Sequence, residues 1–132
     1  IEKGYRSFGT DMTFEHFPNE AGLGFALKRD EGFIGAEHAT AQRKRRLVCL
    51  AFSDNQQLLL GNEPVFEGDQ AIGYVTSATY SPNLGHGIAY AWVFDRSLPS
   101  AKGLIIEGRQ HCIEAEIVEE PLYDPNMQKV RV

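Results

Sequence analysis

Two cysteines in 132 residues, Cys49 and Cys112, are too few and too far apart for a disulfide framework or a metal knuckle. Both are read as reduced thiols. No apolar run approaches the roughly 20 residues a membrane-spanning helix needs, and no signal-peptide pattern opens the chain. The expected location is the cytoplasm, or an organelle interior such as the mitochondrial matrix once a leader has been removed. A basic balance is missing as well: 13 Lys and Arg against 18 Asp and Glu leave a net charge of −5. Proteins that bind polyanions in general carry a basic face that releases phosphate counterions, so nucleic acid is not an expected partner. The one basic run, Arg43-Lys44-Arg45-Arg46, is read as the C-terminal end of a helix, where the macrodipole favours cations.

Catalytic patterns are scarce too. His16, His38, His86 and His111 lie in separate segments with no HxH, HExxH or CxxC spacing, so no metal ligand is assigned. Ser77, preceded by Thr76, lacks the flanking glycines of a nucleophile elbow. Glu114 and Glu116 share one face of an expected strand, where acidic residues in water need no catalytic explanation. No residue of this chain is assigned to catalysis.

What is present is strand periodicity. A chain of this size buries roughly two-thirds of its unfolded surface and can hold its own core; 42% of its residues are hydrophobic. The stretch from Glu63 to Val93 reads as three strands with their turns written in. Val65, Phe66 and Glu67 stop at Gly68-Asp69, a two-residue hairpin pattern in which Gly supplies positive φ. Ala71 to Tyr80 follows, with Ile72, Tyr74, Thr76, Ala78 and Tyr80 expected on one face and Ala71, Gly73, Val75, Ser77 and Thr79 on the other. Mixed faces suit a closed barrel, with Gly73 letting another backbone approach. Ser81-Pro82-Asn83-Leu84-Gly85 breaks the run before a strand from His86 to Phe94.

Upstream, Arg46 to Ser53 alternates Val48, Leu50 and Phe52 against Leu47, Cys49 and Ala51, and Asp54 to Gln57 makes a loop. Downstream, Asp95 to Lys102 is a polar connection. Leu104 to Glu107 then pairs through Gly108-Arg109 with Gln110 to Val118, which points Ile113, Ala115 and Ile117 inward. Residues 1 to 20 show no sustained period and read as an ordered connector. Glu20 to Lys28 is an expected strand with Leu23, Phe25 and Leu27 on one face, and Ala36 to Arg45 an expected short surface helix. The fold class is therefore mainly β: a small barrel of six antiparallel strands, closed because closure removes exposed edges, preceded by a short strand and helix. The start at Ile1-Glu2-Lys3-Gly4-Tyr5, with no Met, reads as the cut end of a longer polypeptide.

Five segments in order carry a resemblance: Ile1 to Tyr5 with Gly9-Thr10-Asp11; Pro18-Asn19-Glu20-Ala21-Gly22-Leu23-Gly24-Phe25; Phe33-Ile34-Gly35; Gly73 to Ser77 with Ser81-Pro82-Asn83-Leu84; and Ile88-Ala89-Tyr90-Ala91. Together they resemble the C-terminal part of the glycine-cleavage aminomethyltransferase (T-protein) superfamily. The wording EKGYRSFGTDM, RRLVCL, GNEPVF and EPLYDP is most similar to the folate-binding tail of FAD-dependent dimethylglycine and sarcosine oxidases and dehydrogenases. The resemblance implies that residues 1–44 end a folate-binding domain and its linker, and that 45–132 form the C-terminal barrel, a six-stranded antiparallel Greek-key barrel. It implies tetrahydrofolate as the cofactor, with FAD bound in the missing N-terminal part. Folate and a small amine substrate would be met through the full-length protein, whose remaining polypeptide is the expected partner.

The family's catalytic Asp and its pterin-gripping Glu and Arg lie N-terminal to the motif matched by Glu2 to Tyr5, so none carries over and the chain alone is expected to be inactive. Two aromatics do carry over as cofactor-binding residues: Tyr5, at a position near the folate, and Phe25, at the end of the EAGL motif. Flat rings stack on a pterin or aminobenzoyl ring; core packing is the competing role for each. Asp124 departs from the plain T-proteins, where a basic residue can meet the folate's glutamate tail, and it would repel that carboxylate. The alternative reading is a non-catalytic folate-binding or protein-interaction barrel of the same superfamily. Members linked to iron–sulfur maintenance carry a Cys in a KGCYxGQE-like motif, and this chain has none before Cys49.

Overall fold

The computed structural model describes residues 1–27, 32–39, 44–53, 58–94 and 103–129. Its six strands are β1 (Arg45–Phe52), β2 (Pro64–Glu67), β3 (Gln70–Ser81), β4 (His86–Phe94), β5 (Leu104–Glu107) and β6 (Cys112–Val118). They close into a barrel in the order β1-β4-β3-β2-β5-β6, every neighbouring pair antiparallel. Strands β2, β3 and β4 follow one another as hairpins and β1 lies beside β4, which is the Greek-key arrangement. The six expected strands and their closure are thus present. The expected loop at 54–57 and connection at 95–102 fall outside the described residues.

Alternation explains most of the barrel. Val48, Leu50 and Phe52 of β1, Ala89, Ala91 and Val93 of β4, and Ile113 and Ala115 of β6 point into one apolar core. The opposite faces of β1 and β4 present Leu47, Cys49, Tyr90 and Trp92 outward. Gly68 takes φ 58° in the β2–β3 turn, as its hairpin requires. At Gly73 a Cβ would lie 1.8 Å from the Trp92 carbonyl oxygen, so β4 can approach only because that side chain is missing.

Three expectations are corrected. The simple two-faced pattern of β3 fails, because register shifts at Val65/Phe66 and at Val75/Ser77 leave Ile72 and Thr76 as extra residues; Ile72 and Val75 both reach the core. The strand expected over Glu20 to Lys28 is not found in its described part, Glu20 to Leu27: turns lead into a short 3-10 helix at Gly24–Ala26, and Phe25, expected on an apolar strand face, is 86% exposed. Phe17 and Pro18 carbonyls accept the N–H groups of Glu20, Ala21 and Leu23, so local turns take the donors a strand would need. The expected helix is described only at Ala36–Ala39, residues 40–43 lying outside the description. Arg45 and Arg46 open β1 instead of ending a helix, their backbone drawn into the ladder against Phe94 and Val93.

Candidate functional site

Residues 1–27 have little regular structure of their own, yet they cover the outer face of β1 and β4. Ala21 joins Leu47, Cys49, Tyr90 and Trp92 in a second apolar cluster, with Ile1, Met12, Leu23, Val118 and Leu122 packed against it. Burial pushes the Cys49 thiol up to about 11 and leaves it a core residue; Cys112 is exposed, and both are free thiols.

Polar links fix the segment in place. Arg6 lies 5.3 Å from the centre of the Tyr90 ring, donates to the carbonyls of Ala21 (3.0 Å) and Gly4, and pairs with Glu120. Tyr90 Oη donates to the same Glu120 at 2.7 Å, so one carboxylate ties the segment, β4 and the C-terminal tail together. Burial pushes the Tyr90 hydroxyl up to about 12, which keeps it a donor. His16 stacks on Trp92 with ring centres 4.1 Å apart, and the Arg45 guanidinium lies 5.4 Å from the same indole. Glu20, 3% exposed, accepts N–H groups from Phe17 and Lys44, while its own carbonyl accepts from Leu47 at 2.9 Å. At the far end Glu2 accepts from Ser81 and Asn83, hydrogen bonds that lower its carboxyl below the usual range.

Asp124 is also accounted for. Lys3 Nζ donates to its carbonyl at 2.9 Å and lies 3.5 Å from its carboxylate, which also accepts the N–H groups of Gln128 and Lys129. Burial pushes its carboxyl up, but the Lys129 and Gln128 N–H groups and Lys3 outweigh that and hold it below the usual range.

What this seated segment leaves bare is aromatic. Tyr5 is 70% exposed, Phe25 86% and Phe14 95%, and Phe8 stands edge-on to Phe14 with ring centres 4.9 Å apart. Neither Tyr5 nor Phe25 belongs to either apolar cluster of the described residues. Large rings facing water on a pinned backbone suit stacking against a flat ligand ring or burial under another part of a polypeptide. Arg6, Asp11, Glu20 and Glu120 make the seat, and spacing did not assign them. All four stand in the quoted wording, but the partners that tie the segment to the barrel are distant in sequence: Lys44 lies 24 positions from Glu20, Ser77 66 from Asp11 and Glu120 114 from Arg6. Elsewhere, a cleft of about 350 Å³ is walled by Phe52, Ser53, His86, Glu114 and Glu116, and none of its lining comes from residues 1–27. Among the described residues no group of three or more His, Cys, Asp or Glu is placed to hold a metal ion, and no helix is long and apolar enough to cross a membrane.

Comparison with known proteins agrees with this architecture. Residues 45–124 match the family described as the glycine cleavage T-protein C-terminal barrel domain. The chain is 32% identical over 122 residues to the aminomethyltransferase of Bacillus pumilus, covering 88% of this chain and 33% of that protein. It is 30% identical over 144 residues to human mitochondrial sarcosine dehydrogenase, covering 99% and 16% respectively. To mouse mitochondrial dimethylglycine dehydrogenase it is 30% identical over 128 residues, covering 92% and 15%. The chain therefore spans from about a sixth to a third of these relatives' lengths. The crystal structure of the glycine cleavage system aminomethyltransferase T of Bartonella henselae superposes with a TM-score of 0.79 at 22% identity, over 94% of this chain and 37% of that one, and shares the fold. With 45–124 matched and the six-stranded barrel in place, this chain belongs to the glycine cleavage T-protein C-terminal barrel domain family.

Proposed function

We propose that this chain is the C-terminal part of a tetrahydrofolate-dependent aminomethyltransferase-like module of a flavin-dependent dimethylglycine or sarcosine oxidase or dehydrogenase. In this reading residues 1–44 end the folate-binding domain and its linker, and 45–132 are the barrel that seats them. The observation that carries it is the reach of the similarity to sarcosine dehydrogenase: it covers 99% of this chain, so the irregular segment travels with the barrel. The bare rings of Tyr5 and Phe25 support it, since they suit a pterin or aminobenzoyl ring. Tetrahydrofolate, when bound, accepts the one-carbon unit; this chain's part is to seat the segment and offer those two rings. FAD and the amine substrate belong to the preceding part of the polypeptide, and no residue here is assigned to them. The compartment follows the enzyme: the cytoplasm, or the mitochondrial matrix in a eukaryote.

The isolated chain should then fold but bind tetrahydrofolate weakly, because most of the pocket is contributed from elsewhere. Calorimetry giving a submicromolar Kd for the isolated chain would contradict this and favour a free-standing folate-binding module. In the full-length enzyme, Tyr5→Ala should weaken tetrahydrofolate binding by about tenfold, the worth of a well-placed aromatic contact. Equal losses in folate binding and amine oxidation would remove Tyr5 from the folate site.

A further inference from the structure

Asp11 is a buried carboxylate, 2% exposed, that no chemistry above requires. Its Oδ1 accepts two hydroxyl hydrogen bonds, from Thr76 Oγ1 at 2.7 Å and Ser77 Oγ at 2.6 Å. Its Oδ2 accepts the Ser7 N–H at 2.8 Å, and its backbone carbonyl accepts Trp92 Nε1–H at 2.8 Å. In a regular strand consecutive side chains point to opposite faces. Thr76 and Ser77 meet on one oxygen because the β3 register shifts at Val75/Ser77, and such a bulge re-aims a side chain. The other end of the carboxylate closes a tight turn, in which the Ser7 carbonyl accepts the N–H groups of Thr10, Asp11 and Met12. That turn carries Phe8 and begins two residues after Tyr5.

We propose that Asp11 is a positioning residue: clamped between the β3 bulge and the Ser7 turn, it fixes the direction in which Tyr5 is presented to the ligand. The claim rests on the folate reading above, and two separate readouts keep the two apart. Asp11→Asn retains one acceptor for the hydroxyls but turns an NH₂ on the Ser7 N–H, donor facing donor, and so loosens the segment's side of the clamp. Thr76→Val with Ser77→Ala removes the barrel side and leaves Asp11 in place.

In the 132-residue chain the readout is emission from Trp92, the single tryptophan, whose indole N–H is held by Asp11. Both variants should red-shift it while far-UV circular dichroism keeps the barrel signature. In the full-length enzyme, Asp11→Asn should raise KM for tetrahydrofolate about tenfold, the order expected for a lost hydrogen bond to a charged group, with kcat changed by no more than about twofold. Unshifted emission in both folded variants overturns the clamp. A red shift with unchanged KM makes Asp11 structural and overturns the positioning role. Wild-type enzyme that does not bind tetrahydrofolate overturns the folate reading, and the Trp92 readout still decides whether Asp11 seats the segment. If Asp11→Asn does not fold, the double variant carries both measurements.

Discussion

The two sides of the β1–β4 ladder are held by different physics. Inside the barrel, Val48, Leu50, Phe52, Val65, Ile72, Ala91, Val93, Leu104 and Ile106 belong to one buried apolar cluster with no ionisable member. Outside it, Leu47, Cys49, Tyr90 and Trp92 are covered by a segment with little regular structure, and the cover is pinned by Asp11, Glu20, Arg6 and Glu120. Burial without direction is enough for the first, because the ladder, by alternation and at β3 by its two bulges, has already set which side chains face inward. The second needs directed bonds, because a segment that lacks a ladder must satisfy its backbone and fix its register by other means. The barrel should therefore respond to lost volume, and the cover to lost partners and to pH.

The largest effect is expected inside. Leu50→Ala deletes a fully buried side chain of β1, which costs about 2–5 kcal/mol where the site cannot collapse. Far-UV circular dichroism and Trp92 emission should move to lower denaturant together, since the cover has nothing to sit on once the barrel opens. A Trp92 transition that stays in place while the barrel signal shifts would show that the two regions are not layered in this way.

The same division governs what the sequence made legible. Six strands, the Gly68-Asp69 turn and the two faces of β1 could be read because period-2 patterning and Gly-Asp turn chemistry are local; the β5–β6 turn takes residues 108–111, where Gly108-Arg109 alone is expected. The β3 bulges could not: the alternation of Ile72, Tyr74 and Thr76 looks regular, and the extra residues appear only when Gly73 pairs with Val93 and Ser77 with Tyr90. Phe25 departs from its expected strand face because Leu23, Phe25 and Leu27 only imitate one, while the Phe17 and Pro18 carbonyls draw the N–H groups of Glu20, Ala21 and Leu23 into turns. The clamp residues were legible only as members of a family motif. Asp11 finds its hydroxyl partners 65 and 66 residues away and Arg6 its carboxylate 114 away, and no window of the sequence reports such a pairing.

A smaller effect should separate the regions rather than move them together. Tyr90→Phe keeps the ring under Arg6 and removes only the hydroxyl that donates to Glu120 at 2.7 Å. Glu120 is partly exposed and keeps Arg6, so water can replace the lost donor and the cost is about 1 kcal/mol. Proteolysis within residues 1–27 should quicken while the far-UV melting curve of the barrel barely shifts. If both probes shift alike, barrel and cover form one cooperative unit and the contrast is one of bonding, not of stability.

The smallest effect is a pH dependence that only the cover should show. Burial first, and then the nearby Arg45 guanidinium, lower the His16 imidazole below its ordinary 6.5, against the opposing pull of Glu20, the Thr13 backbone and Glu15. Glu20 is lowered too: burial pushes it up, but the N–H groups of Lys44, Phe17 and Arg45 outweigh that. Both groups bind protons more readily in the unfolded chain, so stability rises with pH through each window. The His16 contribution is complete above about 6.5 and lost as pH falls through its lowered folded value; the Glu20 contribution is complete above about 4.5 and lost below it. Acidification should therefore loosen the cover in two stages, while the barrel core, with nothing to titrate, holds. Trp92 emission should red-shift before far-UV circular dichroism changes, and His16→Phe, which can keep the stack on Trp92 but cannot titrate, should remove the upper stage alone. Emission that is flat from neutral pH down to the Glu20 window would mean that Trp92 stays covered when His16 is charged, and that the aromatic stack rather than the neutral ring holds the segment there.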